Sequence, residues 1–152
     1  MAKSFMQMAE EAMAQVEGIS AEEVQQRLKQ DPNTLLVDVR DAAEIPSTGL
    51  ATGGLNISLG MLPVRADLEL SEEKRDARLQ DRSRQIITTC QLGPNGAIGA
   101  KLLKDMGFTN VYYLAGGMAA WKAAGLPTEY RRVSSIIAWG FHAFQNFRNR
   151  PD

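Results

Sequence analysis

The chain has one cysteine, Cys90, and it closes a short β-branched run, Ile86-Ile87-Thr88-Thr89. Gln91, Leu92, Gly93, Pro94 and Asn95 follow it, and a helical pattern is expected to begin near Gly96 or Ala97. A strand that ends on cysteine, a tight loop and a helix N-terminus bring free backbone N–H groups toward the sulfur, and the helix dipole adds positive charge there. Both effects favour thiolate over thiol. A thiolate held in this way can carry a transferable sulfur or attack an anionic substrate. The alternative is a small buried apolar residue at a strand end, an ordinary place for a lone cysteine.

A second group of reactive types, Asp38, Arg40, Asp41 and Glu44, follows the apolar run Thr34-Leu-Leu-Val-Asp-Val39. Charged residues at the C-terminal end of a buried parallel strand lie where open α/β sheets place their sites. The structural reading is that Arg40 pairs with Glu44 or Asp41 and ties down the loop. Arg75, Arg78, Arg82 and Arg84 could attract an anion, although a solvated helix of mixed charge is the better reading of them. One histidine, His142, leaves no cluster with zinc-ligand spacing, and one cysteine excludes an internal disulfide. Glycines 49, 53, 54 and 60 mark turns rather than a nucleotide loop, because no lysine accompanies them and no helix follows directly.

The elements that position these groups alternate between helix and strand. At 152 residues, 44% hydrophobic and 23% charged, the chain fits one globular domain with a core of its own. The net charge of -1 gives no general attraction to nucleic acid or to anionic membranes. No stretch reaches the roughly 20 apolar residues of a membrane span, and no signal peptide is expected. A free thiol without an export signal points to a cytoplasmic setting.

The first expected helix, Ser4 to Val16, carries Phe5, Met8, Ala9, Ala12 and Val16 on one side. Ser20 with Glu23 reads as a capping box for a helix over Ala21 to Gln30, ended by Asp31-Pro32-Asn33. Expected strands run over Thr34–Val39, Leu55–Ser58, Gln85–Cys90 and Asn110–Leu114. Met61 to Ala66 reads as an irregular connection. Ser71 reads as the N-cap of a charged helix over Glu72–Leu79. Further helices are expected over Ala97–Met106, closed by Gly107, and over Met118–Ala124, closed by Gly125. The tail from Val133 to Phe147 is aromatic and can pack on the domain, form a dimer interface or lie on a membrane surface. The alternation as a whole predicts a mostly parallel sheet with helices on both faces.

Four stretches, taken in order, resemble the rhodanese-like family. They are Leu-Leu-Val-Asp-Val-Arg-Asp-Ala-Ala-Glu at 35–44, Gly-Leu-Ala-Thr-Gly-Gly-Leu-Asn-Ile at 49–57, Ile-Ile-Thr-Thr-Cys-Gln-Leu-Gly at 86–93, and Ala-Gly-Gly-Met-Ala-Ala-Trp at 115–121 with Gly-Leu-Pro at 125–127. The resemblance covers about Ile19 to Thr128. It implies a three-layer α/β fold, with about five parallel strands between helices and a catalytic cysteine after the fourth strand. Residues 18–130 would form this domain, with a helical extension at 1–17 and an aromatic helical tail at 131–152.

By the same resemblance the protein is a sulfurtransferase. Cys90 would take sulfane sulfur from a donor such as thiosulfate, hold it as a persulfide, and pass it to cyanide, a small thiol or a protein acceptor. Gln91, Leu92, Gly93, Asn95 and Gly96 would supply loop donors, with Asp38, Arg40 and Glu44 structural near the site. No metal or cofactor is implied, nor a nucleic-acid or membrane partner; a homodimer through the tail is an option.

Sulfurtransferases of the superfamily resemble one another in a six-residue loop, which Cys90 to Asn95 matches if the helix starts at Gly96. Related phosphatases use one residue more and an arginine that grips phosphate; Asn95 here stands where many members carry arginine, and bidentate phosphate binding is lost with it. Gly96 replaces a small polar residue, Pro94 withholds an N–H, and Leu50 stands where a Gly-His-Ile sequence is usual. The alternative is therefore a catalytically weak or inactive binding or regulatory module on the same fold. The sequence does not name the physiological donor or acceptor.

Overall fold

The computed structural model describes residues 1–130. In chain order these form helix α1 (Phe5–Met13), strand β1 (Glu17–Ile19), α2 (Ala21–Gln30), β2 (Leu35–Asp38), α3 (Ile45–Thr48), β3 (Leu50–Ala51), β4 (Leu55–Asn56) and α4 (Leu62–Ala66). There follow β5 (Ile86–Thr89), α5 (Pro94–Asp105), β6 (Val111–Leu114), α6 (Gly117–Ala123) and β7 (Thr128–Glu129). The aromatic tail from Val133, with His142 and the packing, dimer and membrane roles considered for it, lies outside the described residues.

The two apolar runs of the sequence become the middle of the sheet. Strand order is β1-β6-β5-β2-β4, and every neighbouring pair is parallel. All four residues of β2 and all four of β5 are buried, as strands covered on both faces must be. Alternation sorts their side chains into two cores. Leu35, Val37 and Ile86 join Leu62, Leu103 and Phe108 on one face. Leu36 and Ile87 join Val24, Leu114, Met118 and Trp121 on the other. Helices α1 and α4 each pack on α5 on the first face, and α2 contacts α6 on the second, giving three layers. Cys90 follows the fourth strand of this sheet in chain order. A separate antiparallel pair, β3 with β7, sets Leu50 opposite Glu129, and Leu50 is buried there.

Helix α2 has the expected bounds, but its capping box is only half formed. The Ser20 hydroxyl accepts from the Glu23 N–H at 3.2 Å, while the Glu23 carboxylate takes the Arg27 guanidinium at 3.0 Å. Arg27 also stacks over Tyr112, 4.3 Å from its ring centre. A complete capping box is in α1, where Ser4 and Gln7 bond each other's backbone at 3.1 and 2.8 Å, and Asp41 and Glu44 form another around the 3-10 turn Ala42–Glu44.

The charged helix expected over Glu72–Leu79 is absent. A single turn begins at Ser71, and a short 3-10 turn follows at Ala77–Leu79 under an Asp76 cap. Leu79 is the one fully buried residue of this segment, so there is no apolar stripe to hold a helix in place. Arg75 instead reaches Leu68 O at 3.2 Å and Arg78 pairs with Asp76 at 2.7 Å; just beyond the segment, Arg82 reaches Ala66 O at 2.7 Å and Leu79 O at 2.9 Å, and Arg84 reaches Asn33 O at 2.6 Å. Residues 62–66, expected to be irregular, form α4, because Pro63 stands in the first turn, where its missing N–H and fixed φ suit a helix. Strand β1 was not expected; it is three residues long with one of them buried, too little to leave a pattern.

Candidate functional site

Strand β5 delivers Cys90 to the C-terminal edge of the sheet, beside the end of β2. The turn that follows depends on Gly93, whose φ of 122° and ψ of -39° suit glycine and disfavour side chains. That conformation brings the Gly93 N–H to 3.0 Å from Cys90 Sγ and lets α5 start at Pro94. The helix therefore begins two residues before the expected start at Gly96. Counted to that start, the loop runs from Cys90 to Gly93, with Pro94 and Asn95 in the first helical turn, so the six-position count does not hold. Pro94 removes no helical hydrogen bond, since first-turn N–H groups have no partner within the helix.

The inner side of the loop is held by backbone. The N–H groups of Met118 and Ala119, at the start of α6, donate to Cys90 O at 2.8 Å and Gln91 O at 3.0 Å. Such close approach requires Gly117: a Cβ there would stand 2.5 Å from Cys90 O and 2.6 Å from the Gln91 carbonyl carbon, at a φ of 61°. Gly96 is buried on the face of α5 that packs against β5, and its carbonyl accepts from Thr88 Oγ1 at 2.6 Å.

Arg40 does not pair with Asp41 or Glu44 as expected. Its partner is Asp38, with Nη2 to Oδ2 at 2.7 Å and Nε to Oδ1 at 3.0 Å, and both residues are buried. Nη2 also donates to Gly49 O at 2.8 Å, and Nη1 donates to Thr48 Oγ1 and to Gln91 Oε1 at 3.1 Å. A guanidinium has five N–H donors, and these bonds use every one. The Asp38 carboxylate also takes the Arg40 backbone N–H at 3.0 Å. The network fastens the end of β2, the start of β3 and the cysteine loop together.

Cys90 is 4% exposed and opens on a cavity of about 270 Å³. Arg40, Gln91, Leu92 and Asn95 from the expected set line it together with Pro94, and Gly93 supports its floor through the sulfur. Asp38 is held by Arg40 in the interior, and Gly96 faces β5 from within α5, so neither is a lining residue. Asp41 and Glu44 stand at the rim, where the Asp41 N–H donates to Glu44 Oε2 at 3.3 Å. The four arginines of the charged segment are not among the lining residues.

One lining residue was missed by the sequence reading: Phe5. Helix α1 docks on α5 through Ala9 and Ala12, both fully buried, and Lys104 Nζ ties its exit to Gln15 O at 2.7 Å. Phe5 is left half exposed over the pocket. The apolar stripe was legible, but the partner of its first residue depends on tertiary docking. Among the described residues there is no group of His, Cys, Asp and Glu suited to a metal ion, and no helix is long and apolar enough to cross a membrane.

The family model for the rhodanese-like domain matches residues 20–124. This chain belongs to the rhodanese-like family. A sulfurtransferase of Allochromatium vinosum is 31% identical over 112 residues, covering 74% of this chain and 94% of the relative. Thiosulfate sulfurtransferase GlpE of Actinobacillus succinogenes is 31% identical over 100 residues, covering 66% of this chain and 79% of that protein. Among solved structures, a Rhodopseudomonas palustris protein of unknown function, described as a possible tyrosine phosphatase, superposes with a TM-score of 0.78 at 27% identity. That likeness covers 85% of this chain and 96% of the other. The five-stranded parallel sheet and its helical layers are those of the rhodanese-like fold.

Proposed function

We propose that the protein is a sulfurtransferase that carries sulfane sulfur as a persulfide on Cys90, from a donor such as thiosulfate or a small persulfide to a thiophilic acceptor. The observation that carries the reading is the Gly93 N–H, 3.0 Å from Cys90 Sγ, at the floor of a cavity deep enough for a small donor. A donor amide at that distance stabilises negative charge on sulfur, and the start of α5 adds the positive end of its dipole.

In the first half-reaction the Cys90 thiolate attacks the outer sulfur of the donor. A bond from Cys90 to that sulfur forms, the donor's own S–S bond breaks, and sulfite or a thiolate leaves with the bonding pair. In the second, an acceptor attacks the outer sulfur and the Cys90 thiolate leaves. The chain has one cysteine, so an outside nucleophile must discharge the persulfide.

Mass spectrometry after incubation with thiosulfate and with small persulfides tests this reading. The expected result is the gain of one sulfur atom on wild-type chain and none on Cys90→Ser, together with loss of sulfur transfer to cyanide. Transfer that survived in Cys90→Ser would falsify the assignment. A second reading, a binding module without turnover, is favoured by the near-complete burial of Cys90; it takes over if no donor loads the sulfur. Phosphatase chemistry has less support: the loop offers no arginine, Arg40 has no free donor, and hydrolysis of p-nitrophenyl phosphate is expected to be absent.

A further inference from the structure

The cavity above Cys90 is chemically divided. At its floor a single backbone N–H faces the sulfur. Its walls are mainly apolar, formed by Phe5, Val39, Leu59, Leu92 and Pro94, with Gln91 and Asn95 as uncharged polar members. Its rim carries two carboxylates, Asp41 and Glu44, both exposed and neither in an ion pair among the described residues. The one basic side chain of the lining, Arg40, is 5% exposed, neutralised by Asp38, and has all five donors bonded inside. A donor with a second anionic group would meet carboxylates and no available cation.

We propose that this pocket selects small alkyl persulfides with a neutral or cationic far end, aminoalkyl persulfides above all, and disfavours anionic donors such as thiosulfate. The inference rests on Cys90 being the sulfur carrier and specifies which donors reach it. The persulfide end needs only the loop donor at the floor. The alkyl stem lies against the apolar walls, and an ammonium group at the far end pairs with Asp41 and Glu44. Asp41 and Glu44 are specificity residues in this scheme and take no part in bond making. The transfer balances without an oxidant or reductant: the Cys90 thiolate attacks the outer sulfur of R–S–SH, the new S–S bond forms on Cys90, and R–S⁻ leaves with the pair from the broken S–S bond. The proton stays on the transferred sulfur.

The test uses the full chain and three persulfides of matched length, made from cysteamine, 2-mercaptoethanol and 3-mercaptopropionate, with thiosulfate as a fourth donor. Loading of Cys90 is followed by rapid-quench mass spectrometry on wild type and on Asp41→Asn/Glu44→Gln. Leaving thiols differ in basicity, and hence in rate, so the informative quantity is each donor's kcat/KM in wild type divided by that in the variant. This ratio is expected to be about tenfold higher for the ammonium donor than for the carboxylate donor, with the hydroxyl donor between them and thiosulfate ranked beside the carboxylate. Ratios equal within twofold overturn the inference while leaving Cys90 as the carrier. No sulfur on Cys90 from any donor overturns the carrier reading itself. Should the double variant fail to fold, the ammonium-to-carboxylate rate ratio of wild type in low and high potassium chloride decides instead. It is expected to fall as salt screens the rim, and a salt-independent ratio overturns the inference.

Discussion

The inner and outer sides of the cysteine loop are built from different materials. Inside, Cys90 and Gln91 are bonded through their carbonyls to α6, and Arg40 joins Asp38, Thr48, Gly49 and Gln91 in a buried network. Outside, Phe5, Leu92, Asp41 and Glu44 are exposed, and the hydrogen bond from Asp41 to Glu44 at 3.3 Å is long. The inner side fixes where the sulfur sits, with many contacts that fail together. In the proposed reading the outer side meets the donor, with side chains that can change one at a time. Position and selection are thus separable in this site, although they lie within one turn of each other.

Arg40→Met is the hardest blow to the inner side. It leaves the Asp38 carboxylate buried without its partner, a loss of about 3–5 kcal/mol. The urea midpoint should fall accordingly, and Cys90 should no longer load sulfur. Gly117→Ala comes next. Its Cβ would have to displace the Cys90 and Gln91 backbone and hold a left-handed φ, at a combined cost of about 2–4 kcal/mol. Thermal unfolding should report the loss, and sulfur loading should drop with it. Phe5→Ala, on the outer side, should cost less than about 1 kcal/mol, because the ring is already half exposed. Its effect should appear as a few-fold rise in KM for alkyl persulfides with little change in melting temperature. If Phe5→Ala instead unfolded the protein, the division between the two sides would be wrong.

How much of this was visible beforehand depended on how local each cause is. The bounds of α2 follow from Ser20 in front and Pro32 behind, and the buried strands β2 and β5 follow from their own apolar runs. Cys90 at a strand end was legible for the same reason. Prolines mislead: Pro63 and Pro94 suggest loops, whereas both stand in first helical turns. Propensity misled in the opposite sense at Glu72–Leu79, where helix-favouring residues had nothing to pack against. The pairing of Arg40 was read as local, with Asp41 or Glu44. Its partner proved to be Asp38, at the end of its own strand, while its remaining donors reach across to Thr48, Gly49 and Gln91, which only the folded sheet brings near. Phe5 could be placed on a stripe but not over a pocket, because docking of α1 on α5 is a property of the whole fold.

The bonds to the sulfur itself and to the carbonyls of Cys90 and Gln91 come from main-chain amides, those of Gly93, Met118 and Ala119. A codon change can replace a side chain, but apart from proline it cannot delete an amide. Inheritance therefore acts on this grip only through the glycines that permit the close approach. The neighbouring side chains at 41, 44, 92 and 95, which stand outside the Arg40 network, are free to drift. A lineage carrying this fold can exchange one sulfur donor for another by ordinary single substitutions, and the part that holds the atom passes unchanged from one specialisation to the next.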